Sequence, residues 1–170
     1  MPVLVIMCGL AFAGKTTVAR AVSQRLGGRL ISLDDINASR GLRGGEGIPT
    51  EEWERTHRIA LAEAAALLER GLAAVIDDTG CFRWLRDRCR EVALRHRSDA
   101  VVVFVDTPLD LARRRLAANA ATGERHAVRV EILEALARTF ERPGPDERAL
   151  VFAPGDLLGP WLDRHFPASR

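Results

Sequence analysis

Apolar positions along this chain fall into two alternating kinds of run. Short strand-like runs rich in apolar residues occupy 3–8, 29–33, 73–77 and 100–105, with a weaker one at 149–152. The first, Val3-Leu4-Val5-Ile6-Met7-Cys8, lacks the polar–apolar alternation of a half-exposed strand. It predicts a strand covered on both faces. Longer stretches at 15–26, 51–70, 83–97, 109–121 and 129–141 carry apolar residues at helical spacing; Val18, Val22 and Leu26 form one such stripe. Alternation of this kind predicts βαβ units with right-handed crossovers. The expected fold is α/β: a three-layer αβα sandwich built on a parallel sheet of about five strands.

Local punctuation agrees. Thr50 followed by Glu51 and Glu52, and Thr107-Pro108 followed by Asp110, are expected helix starts. Gly27-Gly28 and Gly71 stand where left-handed helix ends are expected. Residues 37–49 hold four glycines and predict a long loop, while 111–126 predict a small arginine-bearing lid. No repeat or linker interrupts the pattern, so residues 1–170 are expected to form one domain.

Composition narrows the function classes. A net charge of +2 gives no support for broad salt-driven nucleic-acid binding. Aromatic residues are 5% with no Tyr, which disfavours a base-stacking platform. The apolar runs are all too short to span a bilayer, and three cysteines without metal-ligand spacing fit a reducing compartment, so a cytoplasmic protein is expected.

Of 25 basic residues only one, Lys15, is lysine. It closes Gly9-Leu10-Ala11-Phe12-Ala13-Gly14-Lys15-Thr16, which is G-x-x-x-x-G-K-[ST] without a mismatch, the phosphate-binding P-loop or Walker A motif. The motif lies between a predicted strand and a predicted helix. There its amides and the helix N-terminus can hold anionic phosphate. Gly9, Ala13, Gly14, Lys15, Thr16 and Thr17 are therefore candidate contacts to a nucleotide, expected to be ATP. A slim ammonium suits a tight backbone nest where the broad planar guanidinium does not.

The remaining chemistry is expected at the carboxyl ends of the strands, where ligands bind in open parallel sheets. Thr16 supplies a hydroxyl for Mg²⁺. The acids at strand ends are Asp34 and Asp35, Asp77 and Asp78, and Asp106. Asp34 or Asp35 can take a proton from an acceptor hydroxyl. Asp77 or Asp78 can support the metal, with the other meeting substrate. Arg113, Arg114, Arg115 and Arg125 are candidates to cover a migrating phosphoryl group, and Arg83 and Arg86 to reach a substrate. The four histidines are scattered without metal spacing, and Trp53 and Trp84 are expected to be packing residues.

From about residue 3 to 152, these features resemble the small P-loop kinases grouped with polynucleotide 5′-hydroxyl kinase, zeta-toxin, chloramphenicol phosphotransferase and seryl-tRNA(Sec) kinase. Leu33-Asp34-Asp35 is similar to their acceptor-binding acidic pair, whose first Asp is typically the general base. Ile76-Asp77-Asp78-Thr79-Gly80 with Arg83 and Arg86 resembles a segment of the seryl-tRNA(Sec) kinase branch, as do 119–141 and the Phe140-Glu141-Arg142-Pro143 that follows. That branch carries lid arginines where this chain has Ala118 and Thr122; Arg115 and Arg125 lie about one turn away on either side. The resemblance implies an ATP- and Mg²⁺-dependent phosphotransferase. Lys15, Asp34, Arg115 and Arg125 would be catalytic, Asp34, Asp35, Asp78, Arg83 and Arg86 would bind substrate, and Thr16 and Asp77 would hold the metal.

The leading expectation is transfer of the γ-phosphoryl group of ATP to a hydroxyl of a small molecule, by a monomer or homodimer without membrane contact. The alternatives are a polynucleotide or tRNA hydroxyl kinase and, from another class, a nucleotide-dependent switch. Asp77-Asp78-Thr79-Gly80 matches the D-x-x-G of such switches, but their guanine-reading Asn/Thr-Lys-x-Asp needs a second lysine that the chain lacks.

Overall fold

The computed structural model describes residues 1–42, 47–122 and 129–167, without the side chains of 120–122. Five parallel strands form one sheet in the order β2-β3-β1-β4-β5: β1 Val3–Cys8, β2 Arg29–Ser32, β3 Ala74–Asp77, β4 Asp99–Val105 and β5 Leu150–Phe152. The helices are α1 Lys15–Arg25, α2 Leu33–Ser39, α3 Thr50–Glu69, α4 Arg83–Arg95, α5 Leu109–Thr122, α6 Val130–Thr139 and α7 Leu158–His165. The α/β sandwich and its five strands are as expected.

The unbroken apolar run of β1 has the predicted cause. Leu4, Ile6 and Cys8 face a core with α3 and α4, while Val5 and Met7 face a second core with α1 and α7. A third, smaller cluster joins Ala112 and Leu116 of α5 to Leu133 of α6, with Leu10, Ala11 and Phe12 of the P-loop packed against it. The predicted lid region thus begins inside a packed helix. No helix among the described residues is long and apolar enough to cross a membrane.

Several expectations need correction. The predicted 37–49 loop is shorter, because α2 extends through Ser39 and buries Asn37. The Asn37 amide oxygen accepts from the Thr56 hydroxyl on α3, and Arg40 donates to the Glu52 carbonyl at 2.8 Å and to the Glu52 carboxylate. Thr50 is the first residue of α3 rather than its cap, a place taken by Pro49. Thr107, expected only as a helix start, also donates its hydroxyl to the Ala13 carbonyl at 2.9 Å. Trp84 is half exposed, stacked on Phe82 and covered by the Arg88 guanidinium. Helix α7 was not expected; Trp161, Leu162 and Phe166 bury it against the α1 face, and the Trp161 indole N–H donates to the Val151 carbonyl.

One buried ion pair ties the segment after α6 to the sheet. Arg86 on α4 is 0% exposed and sends Nε and Nη2 to the two Glu147 carboxylate oxygens, each at 2.7 Å. Its Nη1 donates to the carbonyls of Gly80 at 2.7 Å and Glu141 at 3.0 Å. Glu147 also accepts from Arg90 and from the Gly144 amide. Burial pushes the Glu147 carboxyl up, but these hydrogen bonds outweigh it and hold the group below its usual 4.5.

Removing one partner of such a pair strands the other charge in the protein. Glu147→Ala should therefore cost about 3–5 kcal/mol in urea unfolding at pH 7. Because the folded value is depressed, the pair's contribution is complete above about pH 4.5 and fades as pH falls through that lower value. Glu147→Gln should accordingly show a flatter acid limb than wild type in unfolding midpoints measured from pH 3 to 7 (roughly the carboxylate window). Parallel acid limbs would refute the assignment.

Candidate active site

The P-loop leaves β1 through a slot between the ends of β3 and β4. The Gly9 amide donates to the Thr79 carbonyl at 2.9 Å, and a Cβ on Gly9 would stand 2.7 Å from the Val105 carbonyl. Gly80, at φ +52°, approaches the Met7 carbonyl equally closely, with a Cβ placed at 2.6 Å. Only glycine fits either position, so the P-loop and the β3–α4 turn are held backbone to backbone. Gly14 precedes α1, whose N-terminus has no side-chain cap and presents the positive helix end to the loop. Phe12 adopts a left-handed φ of 60°, which costs a residue other than glycine about 1–2 kcal/mol. Its side chain packs onto the Ala112–Leu116–Leu133 cluster, which offsets that cost.

Lys15 is buried, with Nζ donating to the Leu10 carbonyl at 2.8 Å. Burial pulls its pKa down, and the charges of Asp77, Asp78 and Asp34 oppose that shift. The acids expected at the ends of β2 and β3 are therefore within electrostatic reach of the single lysine. Asp77 is close enough to Thr16 for the Thr16 hydroxyl to favour its charged carboxylate. Burial pushes the Asp77 carboxyl up, and the neighbouring Thr16 hydroxyl and the Lys15 charge act against it. A hydroxyl beside a carboxylate is a hard oxygen pair that fits Mg²⁺. That ion typically takes one or two protein ligands and fills its shell with water and phosphate oxygens. Among the described residues no cluster of three or more His, Cys, Asp or Glu is placed to hold a metal by itself.

Asp34 and Asp35 occupy the first turn of α2, and Ser32 caps that helix by accepting from the Asp35 amide at 3.1 Å. The signal for this helix stood in the sequence: Ser32-Leu33-Asp34-Asp35 is an S-x-x-D cap followed by buried Ile36. Asp34 is exposed at the mouth, and its charge acts on both Lys15 and Asp77. Asp78 follows β3 with Oδ2 accepting from the Gly80 amide at 3.3 Å. The same oxygen lies 3.7 Å from Nε2 of His57 on α3, a neighbour that spacing in the sequence does not reveal.

The arginines sort differently from expectation. Arg86 does not reach the substrate crevice, because its guanidinium is fully buried and committed to Glu147, Gly80 and Glu141. Arg83 is likewise turned away: both its terminal nitrogens donate to Asp146, and its Nε pairs with Asp87. Arg113 pairs with Asp110 and Glu134. Arg115 does lie over the P-loop, with Nη1 donating to the Ala13 carbonyl at 2.8 Å and the Phe12 carbonyl at 3.2 Å. Arg125 lies outside the described residues. Asp106, the third acidic strand end, accepts from Arg142 at 2.6 Å.

A parallel α/β sheet with a G-x-x-x-x-G-K-T loop on its central strand, and acids from two further strand ends around the buried lysine, defines a P-loop nucleotide-binding domain. The chain belongs to the AAA domain family, whose model matches residues 4–143. It is 27% identical over 151 residues to a probable gluconokinase of Schizosaccharomyces pombe, covering 86% of this chain and 76% of that one. Its fold is shared with a gluconokinase from Sinorhizobium meliloti at a TM-score of 0.66 and 19% identity, covering 97% and 90% of the two chains. It is shared also with Kti12 of Chaetomium thermophilum, solved in complex with ADP-AlF3, at 0.74 and 21%, covering 97% and 98%.

The narrow burial of Lys15 yields a prediction about shape. Lys15→Arg keeps the charge but cannot fit between the Leu10 carbonyl and the loop amides. It should weaken a fluorescent ATP analogue at least about 100-fold in equilibrium titration, roughly 2.7 kcal/mol. Near-normal affinity would show that charge alone matters here.

Proposed function

We propose that this chain is an ATP-dependent kinase that phosphorylates a hydroxyl of a small polyhydroxylated acceptor of the sugar class. The observation that carries the reading is the setting of Lys15, one buried ammonium within reach of Asp34, Asp77 and Asp78 beside the Thr16–Asp77 pair. A site that only held nucleotide would need the lysine and the loop amides, but not a ring of carboxylates at the strand ends. The likeness to a probable gluconokinase supports a sugar-derived acceptor.

The P-loop amides and Lys15 hold the β- and γ-phosphates. Thr16 and Asp77 hold Mg²⁺, which when bound offsets phosphate charge and orients the γ-phosphoryl group. Asp34 accepts the proton of the acceptor hydroxyl as its oxygen bonds to the γ-phosphorus. The bond from that phosphorus to the bridging β–γ oxygen breaks, and ADP leaves with its electron pair. Asp35 and Asp78 contact the acceptor. Arg115 exchanges its P-loop carbonyls for the transferring group, joined by Arg125. With Arg83 and Arg86 paired to Asp146 and Glu147, neither serves as an acceptor contact in this reading.

ADP formation from ATP and Mg²⁺, measured over neutral sugars, sugar acids, aminoglycosides, nucleosides and 5′-hydroxyl oligonucleotides, tests this directly. Stimulation by a sugar or sugar acid is expected, and a flat panel sinks the proposal. Asp34→Ala should keep ATP affinity yet lower turnover by about 10²–10⁴-fold, the range of general-base catalysis. Unchanged turnover would remove Asp34 as the base. Asp77→Ala should abolish the gain in nucleotide affinity that Mg²⁺ gives to wild type in the same titration.

A further inference from the structure

We infer that His57 is a positioning residue that sets the Asp78 carboxylate for the acceptor, an inference that rests on the kinase reading above. His57 lies in the second turn of α3, with its side chain 15% exposed, and Nε2 stands 3.7 Å from Asp78 Oδ2. That same oxygen accepts the Gly80 amide at 3.3 Å, while Oδ1 has only a 3.5 Å contact from the neighbouring Thr79 hydroxyl. Oδ2 is thus approached from two sides, by the Gly80 amide and by His57, while Oδ1 keeps a longer contact with the adjacent Thr79 hydroxyl that an acceptor hydroxyl could replace.

His57 is itself fixed from the other side of the crevice. Thr56, the residue before it, is 0% exposed and donates its hydroxyl to Asn37 of α2 while accepting from Arg40. Helix α2 carries Asp34 in its first turn. One turn of α3 therefore references both acceptor-side acids, Asp34 through the Asn37–Thr56 bond and Asp78 through His57. A cavity of about 10 Å³, lined in part by His57, Asp78, Gly80, Arg86 and Cys89, lies between α3, β3 and α4. Both partners of the 3.7 Å contact therefore line the same small space.

The role predicts a split between the two substrates. His57→Ala should raise the KM of the stimulating acceptor about 10-fold, the loss of one anchored polar contact, with kcat and the KM for ATP within about 2-fold. His57→Gln, which keeps a donor near the Nε2 position, should recover most of the acceptor KM. In an Asp78→Ala background, His57→Ala should add nothing further, because the histidine acts through that carboxylate. Additive effects, or equal changes in both KM values, overturn the inference.

A readout free of any acceptor keeps it separable from the kinase reading. The Gly80 amide reports the Asp78 carboxylate, so its ¹⁵N–¹H resonance should move in His57→Ala and return towards wild type in His57→Gln. An unmoved Gly80 resonance in both variants refutes the pairing whatever the enzyme assay shows. If Gly80 responds but wild type transfers phosphate to no acceptor, the kinase reading falls and with it the acceptor role, leaving a structural pair.

Discussion

A guanidinium without access to water organises the carboxyl edge of this sheet. Arg86 joins the nearby Gly80 carbonyl to a distant part of the chain that supplies the Glu141 carbonyl and the Glu147 carboxylate. Gly80 closes the turn that begins with Asp77 and Asp78, and Thr79 in that turn accepts the first P-loop amide. The positions of the crevice acids thus depend on a contact made on the far side of the turn. A buried ion pair of this kind adds little net stability over apolar packing, but loss of one partner is costly. Its value here is geometric, because five directed donors fix a loop that apolar contacts would leave free to slide.

Around that frame the site concentrates opposed charge. Lys15 is short of solvent, and its pKa is drawn down by burial and held back by three carboxylates. Burial and, to a lesser degree, the charges of Asp34 and Asp78 push Asp77 towards its neutral form. The carbonyls of Leu10, Phe12 and Ala13 serve as interim partners for Lys15 and Arg115. Phosphate oxygens can replace those carbonyls without creating a new unsatisfied cation.

The P-loop is also packed from above. Leu10, Ala11 and Phe12 sit on the cluster formed by α5 and α6, and Thr107 at the start of α5 donates to Ala13. A displacement of α5 would therefore be felt at the loop that holds the phosphates. Across the crevice, the bonds from Asn37 and Arg40 to α3 make a second rigid wall carrying Asp34. The P-loop and the Asp34 wall are each braced by their own helix pair.

The sequence by itself determined the parallel α/β sandwich, the P-loop and the acids at the strand ends. These are local signals: an apolar run needs cover on both faces, and a phosphate nest needs its glycines and lysine in one short stretch. The S-x-x-D cap of α2 was legible too, but the glycines that follow suggested a longer loop. Only the tertiary structure decided which cations face the ligand. Arg83, Arg86 and Arg115 look alike in the sequence, yet two are committed to Asp146 and Glu147 and one to the P-loop. Their partners lie some 60 to 100 residues away along the chain, with separations of 63, 61 and 102. His57 and Asp78 meet only because α3 folds back over the end of β3. Charge pairing at such separations follows from packing, and no local pattern encodes it.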